Sequence, residues 1–201
     1  AWCNGRKCDF TVTDNTGEEA ELLLFAVKMT ALDEAMELRL GGIAMPILIL
    51  GHTPKEQVEK LIENHITQAV TCKAKALEYS GEAVRCGGTL KVHIKVDTGM
   101  SRLGYLVSGA HFESGVEGIC EACRLPGLDA EGIFTHFAVS DEEDRESRAY
   151  TREQFDLFTA VIEKAEEKLG RKFALRHCAN TGAVAYWPEM MLDMVRPGLL
   201  L

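Results

Sequence analysis

Apolar residues along this chain switch period repeatedly, from short solid runs to stretches spaced three and four apart. That alternation is what most narrows the folds open to it. Phe25–Val27 is a short apolar run. Thr30 stands as the N-cap of a helix over Leu32–Leu40, with Asp33 and Glu34 in the first turn and Gly41-Gly42 as the stop. Pro46–Leu50 is a solid run suited to a strand buried on both faces. Thr53-Pro54 opens a helix to about Glu63, since proline is tolerated at the first helical position. Gln68–Val70 reads as a short strand, Lys73–Ser80 as a short helix and Leu90–Val96 as a strand. A Gly-rich loop and a helix over about Ala110–Arg124 follow, and Leu128–His136 contains the next strand. The polar segment Ser140–Glu146 leads into the strongest helix, about Tyr150–Leu169, and Phe173–His177 and Met194–Leu200 close the series.

About seven strands alternating with helices specify βα units, and therefore parallel strands in an α/β fold. Two architectures satisfy the pattern, an open doubly wound sheet and a (β/α)8 TIM-type barrel. The G-x-G-x-x-G fingerprint after a first strand is absent, which counts against dinucleotide binding. Seven strands are one short of eight, so a barrel built from them is incomplete.

Composition narrows the partners. The 201 residues carry 22 basic and 31 acidic side chains, a formal net charge of −9. A domain that reads nucleic acid carries a basic stripe, so DNA, RNA and anionic membranes are disfavoured partners. No apolar run approaches the roughly 20 residues of a spanning helix. Neither a signal peptide nor a disulfide framework is apparent, and the seven cysteines are an odd and scattered number. A cytoplasmic protein with reduced thiols is expected. Cys120 and Cys123 form a C-x-x-C, but no second pair completes a zinc set. They fall at helical spacing, so they are read as small buried hydrophobes and no metal site is expected.

Polar residues concentrate at the C-terminal ends of the predicted strands. Lys95, Asp97 and Arg102 follow the strand at Leu90, His136 ends Gly-Ile-Phe-Thr-His, Asn180 and Thr181 follow Phe173–His177, and Arg196 lies in Met-Val-Arg-Pro-Gly. In a parallel barrel those ends share one face, where active sites are built. Each residue also has a plain structural reading. Lys95 and Arg102 fit surface charges, His136 a satisfied core histidine, and Asn180-Thr181-Gly182 a helix cap, the functional alternative for the last being a phosphate at a helix N-terminus. Arg196, between apolar neighbours, needs an acceptor if buried: a ring nitrogen, a phosphate or a carboxylate. The run Asp141–Glu146 reads as a solvated loop.

These segments resemble the pyridoxal-phosphate-dependent alanine racemases of fold type III. The resemblance rests on Val92-His-Ile-Lys-Val-Asp-Thr-Gly-Met-Ser-Arg-Leu-Gly104, on Gly132-Ile-Phe-Thr-His-Phe-Ala138 followed by Asp141-Glu142, on Arg176-His-Cys-Ala-Asn180 and on Leu192-Asp-Met-Val-Arg-Pro-Gly198. Leu32–Arg39 and Pro46–Gly51 match in the same order, so the resemblance runs from about Phe25 to the last residue. It implies a barrel that binds pyridoxal 5'-phosphate, interconverts L- and D-alanine for cell-wall synthesis, and acts as a homodimer. By the same resemblance Lys95 is a carbamylated lysine that orients Arg102, and Arg102 holds the substrate carboxylate. His136 lies beside the pyridoxal ring, and Asn180 and Thr181 line the cofactor pocket, with Thr181 replacing the usual serine. Arg196 hydrogen-bonds the pyridine nitrogen and keeps it unprotonated, because two adjacent cations are costly. Gly198 and Leu199 offer backbone N–H groups to the phosphate.

Two parts of the family pattern are absent from the sequence. No K-A-D-A-Y-G-H-G-like strand supplies the cofactor-anchoring lysine, and no C-terminal β-domain supplies the tyrosine base. The expectation is therefore an incomplete barrel over 25–201, inactive by itself, with two unpaired sheet edges and a poorly cooperative fold. Residues 1–24 match nothing. Read one base out of register, Trp2-Cys3 forces a glycine and accommodates His-Gly-Ala, so a shifted reading frame over Ala1–Leu24 is expected. Two rival functions remain: a serine or broad-specificity racemase of the same family, and a non-catalytic pyridoxal-phosphate-binding barrel with a carrier role.

Overall fold

The computed structural model describes residues 2–3, 6–7 and 32–198. The expected strand at Phe25–Val27, the N-cap at Thr30 and the phosphate contact at Leu199 lie outside these residues. Trp2–Cys3 (β1) and Arg6–Lys7 (β2) pair antiparallel. From Leu32 onward, helices and parallel strands alternate: α1 (Leu32–Leu40), β3 (Ile47–Ile49), α2 (Val58–Glu63), β4 (Ile66–Val70), α3 (Lys73–Arg85) and β5 (Leu90–Asp97). Then come β6 (Tyr105–Leu106), α4 (Phe112–Cys123), β7 (Leu128–Phe134), α5 (Arg145–Leu169), β8 (Leu175–His177) and α6 (Thr181–Tyr186).

The main sheet runs β3-β4-β5-β7-β8, with every neighbour parallel and β6 attached beside the end of β5. A doubly wound sheet reverses its strand order at a switch point. This order never reverses, so the wall is a sector of a (β/α)8 barrel, and the architecture left open by the sequence is decided. Among the described residues the strand expected at Met194–Leu200 is a single parallel bridge, Asn180 to Arg196. There Arg196 N donates to Ala179 O at 2.9 Å.

Burial follows from covering on both faces. All five residues of β4 are buried, as is every residue of β5 except Lys91. Val92, Ile94 and Val96 of β5 pack into the continuous apolar core with Tyr79 and Ala83 of α3 and Val116 and Ile119 of α4. The opposite parity of β5, His93, Lys95 and Asp97, is polar and equally buried. A polar stripe inside a barrel wall costs free energy unless every member has a partner.

Two boundaries moved for identifiable reasons. Helix α5 begins five residues before the expected Tyr150, because the Asp144 carboxylate accepts from Glu146 N and Ser147 N, both at 3.0 Å. That end of the acidic run is a cap rather than a free loop. It terminates at Gly170, whose φ of 67° is left-handed. The segment after Pro54 opens as a 3-10 turn over Lys55–Gln57 and becomes α-helical only at Val58. Cys120 and Cys123 sit in α4 as expected; Cys120 is buried, and burial pushes the Cys123 thiol up to about 12.

Candidate active site

The register of the sheet sets Lys95 of β5 beside Phe134 of β7, and Phe134 beside His177 of β8. The rings of Phe134 and His177 stack with centroids 4.8 Å apart and planes 4° from parallel. Arg196 joins from beyond β8, its guanidinium 5.4 Å from the Phe134 centroid. Lys95 places its ammonium nitrogen 5.4 Å from the same ring. Three strands and the Arg196 bridge thus deliver one layer of functional side chains near the C-terminal ends of the strands.

Arg196 is only 5% exposed and is satisfied through two of its nitrogens. NH2 donates to Thr135 O at 2.8 Å and Cys178 O at 3.1 Å, and NH1 donates to His177 Nδ1 at 2.5 Å. Desolvation lowers its pKa to about 10, so it remains a cation near neutrality. Lys95 is unlike a surface lysine. Its Nζ donates to Val96 O at 2.8 Å, and burial, reinforced by the positive charge of Arg196 and then that of Arg102, brings its pKa down to about 7.

The loop after β5 is pinned by Asp97, whose Oδ1 accepts from Gly99 N and Ser101 N, each at 3.0 Å. Tyr150 OH donates to Gly99 O at 2.8 Å from α5. Gly104, at φ 127°, closes this loop against β5, where a Cβ would lie 2.8 Å from Asp97 N. Arg102 itself is exposed, near enough for its charge to act on Lys95 but with its side chain in solvent rather than in the buried layer. His136 is half-buried, just beyond β7 and between buried Phe134 and Phe137. Its loop is tied to that of β5 through Gln154, which accepts from Ala138 N at 3.0 Å and donates to Thr98 Oγ1 at 3.3 Å.

Asn180 is the N-cap of α6. Its Oδ1 accepts from Ala183 N at 3.0 Å and from Ser140 Oγ at 2.6 Å, so the plain capping role applies and reaches a second loop as well. Thr181 Oγ1 accepts from Gly198 N at 2.9 Å. The hydroxyl therefore holds the backbone of Gly198, beside which a Cβ would meet nothing within 4 Å among the described residues. Residues that sequence reasoning passed over are His93, His177, Phe134 and Thr135. The signal for His93 was its parity with Lys95 along β5, since residues two apart on a strand share a face.

A wall of parallel βα units with cations, imidazoles and an amide near its C-terminal rim defines the class: a barrel of the TIM type, whose functional sites are built at that rim. Comparison with known proteins fixes the family. A family model described as the N-terminal domain of alanine racemase matches residues 24–201, and the chain belongs to that family. The alanine racemase of Desulforamulus reducens is 44% identical over 170 residues, covering 85% of this chain and 44% of the relative. That of Desulfovibrio desulfuricans is 47% identical over 171 residues, covering 85% of this chain and 43% of the relative. Among solved structures, the Clostridium difficile 630 alanine racemase in complex with cycloserine superposes with a TM-score of 0.75 at 38% identity, covering 84% of this chain and 44% of that one. The Bacillus anthracis alanine racemase with bound L-Ala-P gives a TM-score of 0.70 at 30% identity over 88% of this chain and 42% of that one. The chain thus spans less than half the length of these relatives.

Proposed function

We propose that these residues form the cofactor-binding half of an alanine racemase that uses pyridoxal 5'-phosphate and acts as a homodimer in the cytoplasm. The observation that carries the reading is the buried cation of Arg196, 5.4 Å from the Phe134 centroid, with the Arg102 charge acting on the same layer, at the strand ends of a chain whose net charge is −9. Local positive charge against the overall sign fits an anionic phosphorylated ring and a carboxylate substrate. The backbone N–H of Gly198, held by the Thr181 hydroxyl, is the group that would meet the phosphate, and among the described residues no side chain lies against the Cα of Gly198.

Pyridoxal phosphate supplies the electron-withdrawing ring that acidifies the α-hydrogen of an amino acid. Each residue of this chain has a task around it. Arg196 would donate from its buried guanidinium to the pyridine nitrogen, and as a fixed cation would keep a proton off that atom. His136 would pack beside the ring. Arg102, steered from the loop that Asp97 pins, binds the substrate carboxylate in the bidentate manner suited to arginine. Burial and the Arg196 charge bring the Lys95 pKa down to about 7, so the neutral amine is within reach near neutrality. Its lone pair then attacks carbon dioxide: an N–C bond forms, a C=O pair moves to oxygen, and one N–H proton leaves to solvent. The resulting carbamate is an anion among cations and orients Arg102. Asn180 and Thr181 hold the loops and the Gly198 backbone.

The test is production of D-alanine. A polypeptide of these 201 residues, given L-alanine and pyridoxal phosphate, is expected to give none, because it contains neither the anchoring lysine nor the tyrosine base. Joined in one frame to the first strand and C-terminal domain of a relative, it is expected to racemise alanine and to lose turnover in Arg102→Ala. A joined protein that binds the cofactor yet leaves L-alanine unchanged overturns the enzyme reading in favour of a carrier.

A further inference from the structure

Behind Arg196 a file of polar groups runs through the barrel wall toward the opposite end of the strands. His177 Nε2 lies 2.8 Å from His93 Nδ1, and His93 Nε2 lies 3.7 Å from Glu131 Oε1. Glu131 is held in turn by Lys91 Nζ at 2.6 Å and Thr67 Oγ1 at 3.2 Å. Both imidazoles are almost completely buried.

Donor bookkeeping leaves one arrangement of protons. A guanidinium only donates, so the Nδ1 of His177 facing Arg196 must accept. A neutral imidazole has one donor, and the proton of His177 is therefore on Nε2, aimed at His93. His93 Nδ1 accepts it, which leaves the proton of His93 on Nε2, aimed at the Glu131 carboxylate. Burial, Arg196, His93 and Lys95 all hold His177 well below its ordinary pKa, so it is neutral as the file requires. The adjacent His93 imidazole and then the Lys91 ammonium hold Glu131 down at about 2, an anion at any working pH.

The backbone is shaped for this file. Pairing of β5 with β7 shifts register between Val92 and His93, so that Val92 opposes Ala130 while His93 opposes Gly132, and Glu131 is the extra residue. An extra residue of this kind re-aims a side chain. Gly132 lies against the imidazole of His93: a Cβ there would come within 2.6 Å of three ring carbons. Only glycine lets His93 lie between His177 and Glu131.

We propose that Glu131 is a positioning residue for Arg196, acting through His93 and His177, each locked as the Nε2–H tautomer. The importance of Arg196 rests on the function proposed above, but the relay is tested without cofactor. In protein with 15N-labelled histidine, NMR is expected to show both buried rings neutral, protonated at Nε2 and bare at Nδ1. Glu131→Ala removes the final acceptor, and the His93 and His177 ring signals are expected to shift or split into mixed tautomers. Glu131→Gln, whose carbonyl still accepts, is expected to restore the native pattern largely. Affinity for pyridoxal phosphate, read by absorbance, is expected to fall about three- to thirtyfold in Glu131→Ala, the range for a residue coupled through a packed network. A proton on Nδ1 of His177 in the unaltered protein overturns the proposal and needs no variant that folds. Unchanged His177 signals in a folded Glu131→Ala protein overturn it equally. Correct tautomers together with no cofactor binding in any variant would leave the relay standing and sink the proposed function instead.

Discussion

Lys95 and Arg196 each hold a cationic head 5.4 Å from the centroid of Phe134. The aromatic face attracts each cation while the two cations repel one another. Arg196 retains its proton, and Lys95 gives way. Division of charge between two buried bases at one ring is the electrostatic centre of the site.

The first consequence is a stability that rises with alkalinity. The Lys95 amine falls from 10.5 to about 7 on folding. Between those values the unfolded chain binds a proton that the folded chain does not, so unfolding free energy increases as pH climbs from about 7 toward 10. Below pH 7 the penalty is present in full. Lys95→Met is expected to flatten this slope and to raise stability at neutral pH by a few kcal/mol, since each tenfold loss of proton affinity corresponds to about 1.4 kcal/mol. Val96 O keeps the Thr135 hydroxyl at 3.0 Å when the amine is removed. Urea unfolding at pH 6, 8 and 10 in carbon-dioxide-free buffer measures it; parallel curves for the two proteins would refute it.

The same low pKa makes Lys95 ready to take up carbon dioxide near neutrality. In 13C-bicarbonate at pH 8 the protein is expected to show one carbamate carbonyl resonance, lost in Lys95→Met and on acidification. A resonance that survives the substitution assigns the chemistry to another amine.

Gly132→Ala is expected to destabilise by about 1–3 kcal/mol, the cost of overpacking a tight interior. Its Cβ would lie 2.6 Å from the His93 ring. His93→Ala in the same chain removes the clash, so the double variant should cost less than the sum of the two single ones. A thermodynamic cycle from chemical denaturation reads that coupling, and strict additivity would show that the ring has room to move.

Much of this was legible beforehand, for reasons particular to each segment. Val92, Ile94 and Val96 mark β5 by period, and the turn residues after it place Asp97 and Arg102 at a strand end. The order of the strands was not legible, because a barrel sector and a doubly wound sheet share one local pattern. The apolar neighbours of Arg196 imply that it needs an acceptor, yet its partners, Thr135 O, Cys178 O and His177, come from chain distant in sequence. The register shift that sets Glu131 toward His93 leaves no periodic trace in Leu128–Phe134. Asn180 has both its local cap and a bond to Ser140, 40 residues earlier. Only the cap follows from a local rule.

Gln154 joins the two loops that carry Arg102 and His136. It is fully buried on α5, accepting from Ala138 N and donating to Thr98 Oγ1. Gln154→Leu keeps a similar volume but takes the acceptor from the Ala138 amide and one donor from buried Thr98 Oγ1, and a net hydrogen bond is worth about 0.5–1.5 kcal/mol. The loops should loosen together: hydrogen exchange at Ala138 and at the Asp97-pinned amides of Gly99 and Ser101 is expected to accelerate, with helix α3 unchanged.

Arg196→Lys is the sharpest separation of charge from shape. Lysine keeps the positive charge, but its single ammonium cannot span Thr135 O, Cys178 O and His177 Nδ1, which the guanidinium reaches through two nitrogens. At least one buried carbonyl or the imidazole loses its donor, for an expected loss of about 1–3 kcal/mol. A lysine ammonium is also held less securely as a cation when buried. If charge alone mattered, Arg196→Lys would match the native protein in thermal stability and in affinity for pyridoxal phosphate. The fork geometry requires both to fall, and His177, no longer obliged to accept at Nδ1, to show a second tautomer.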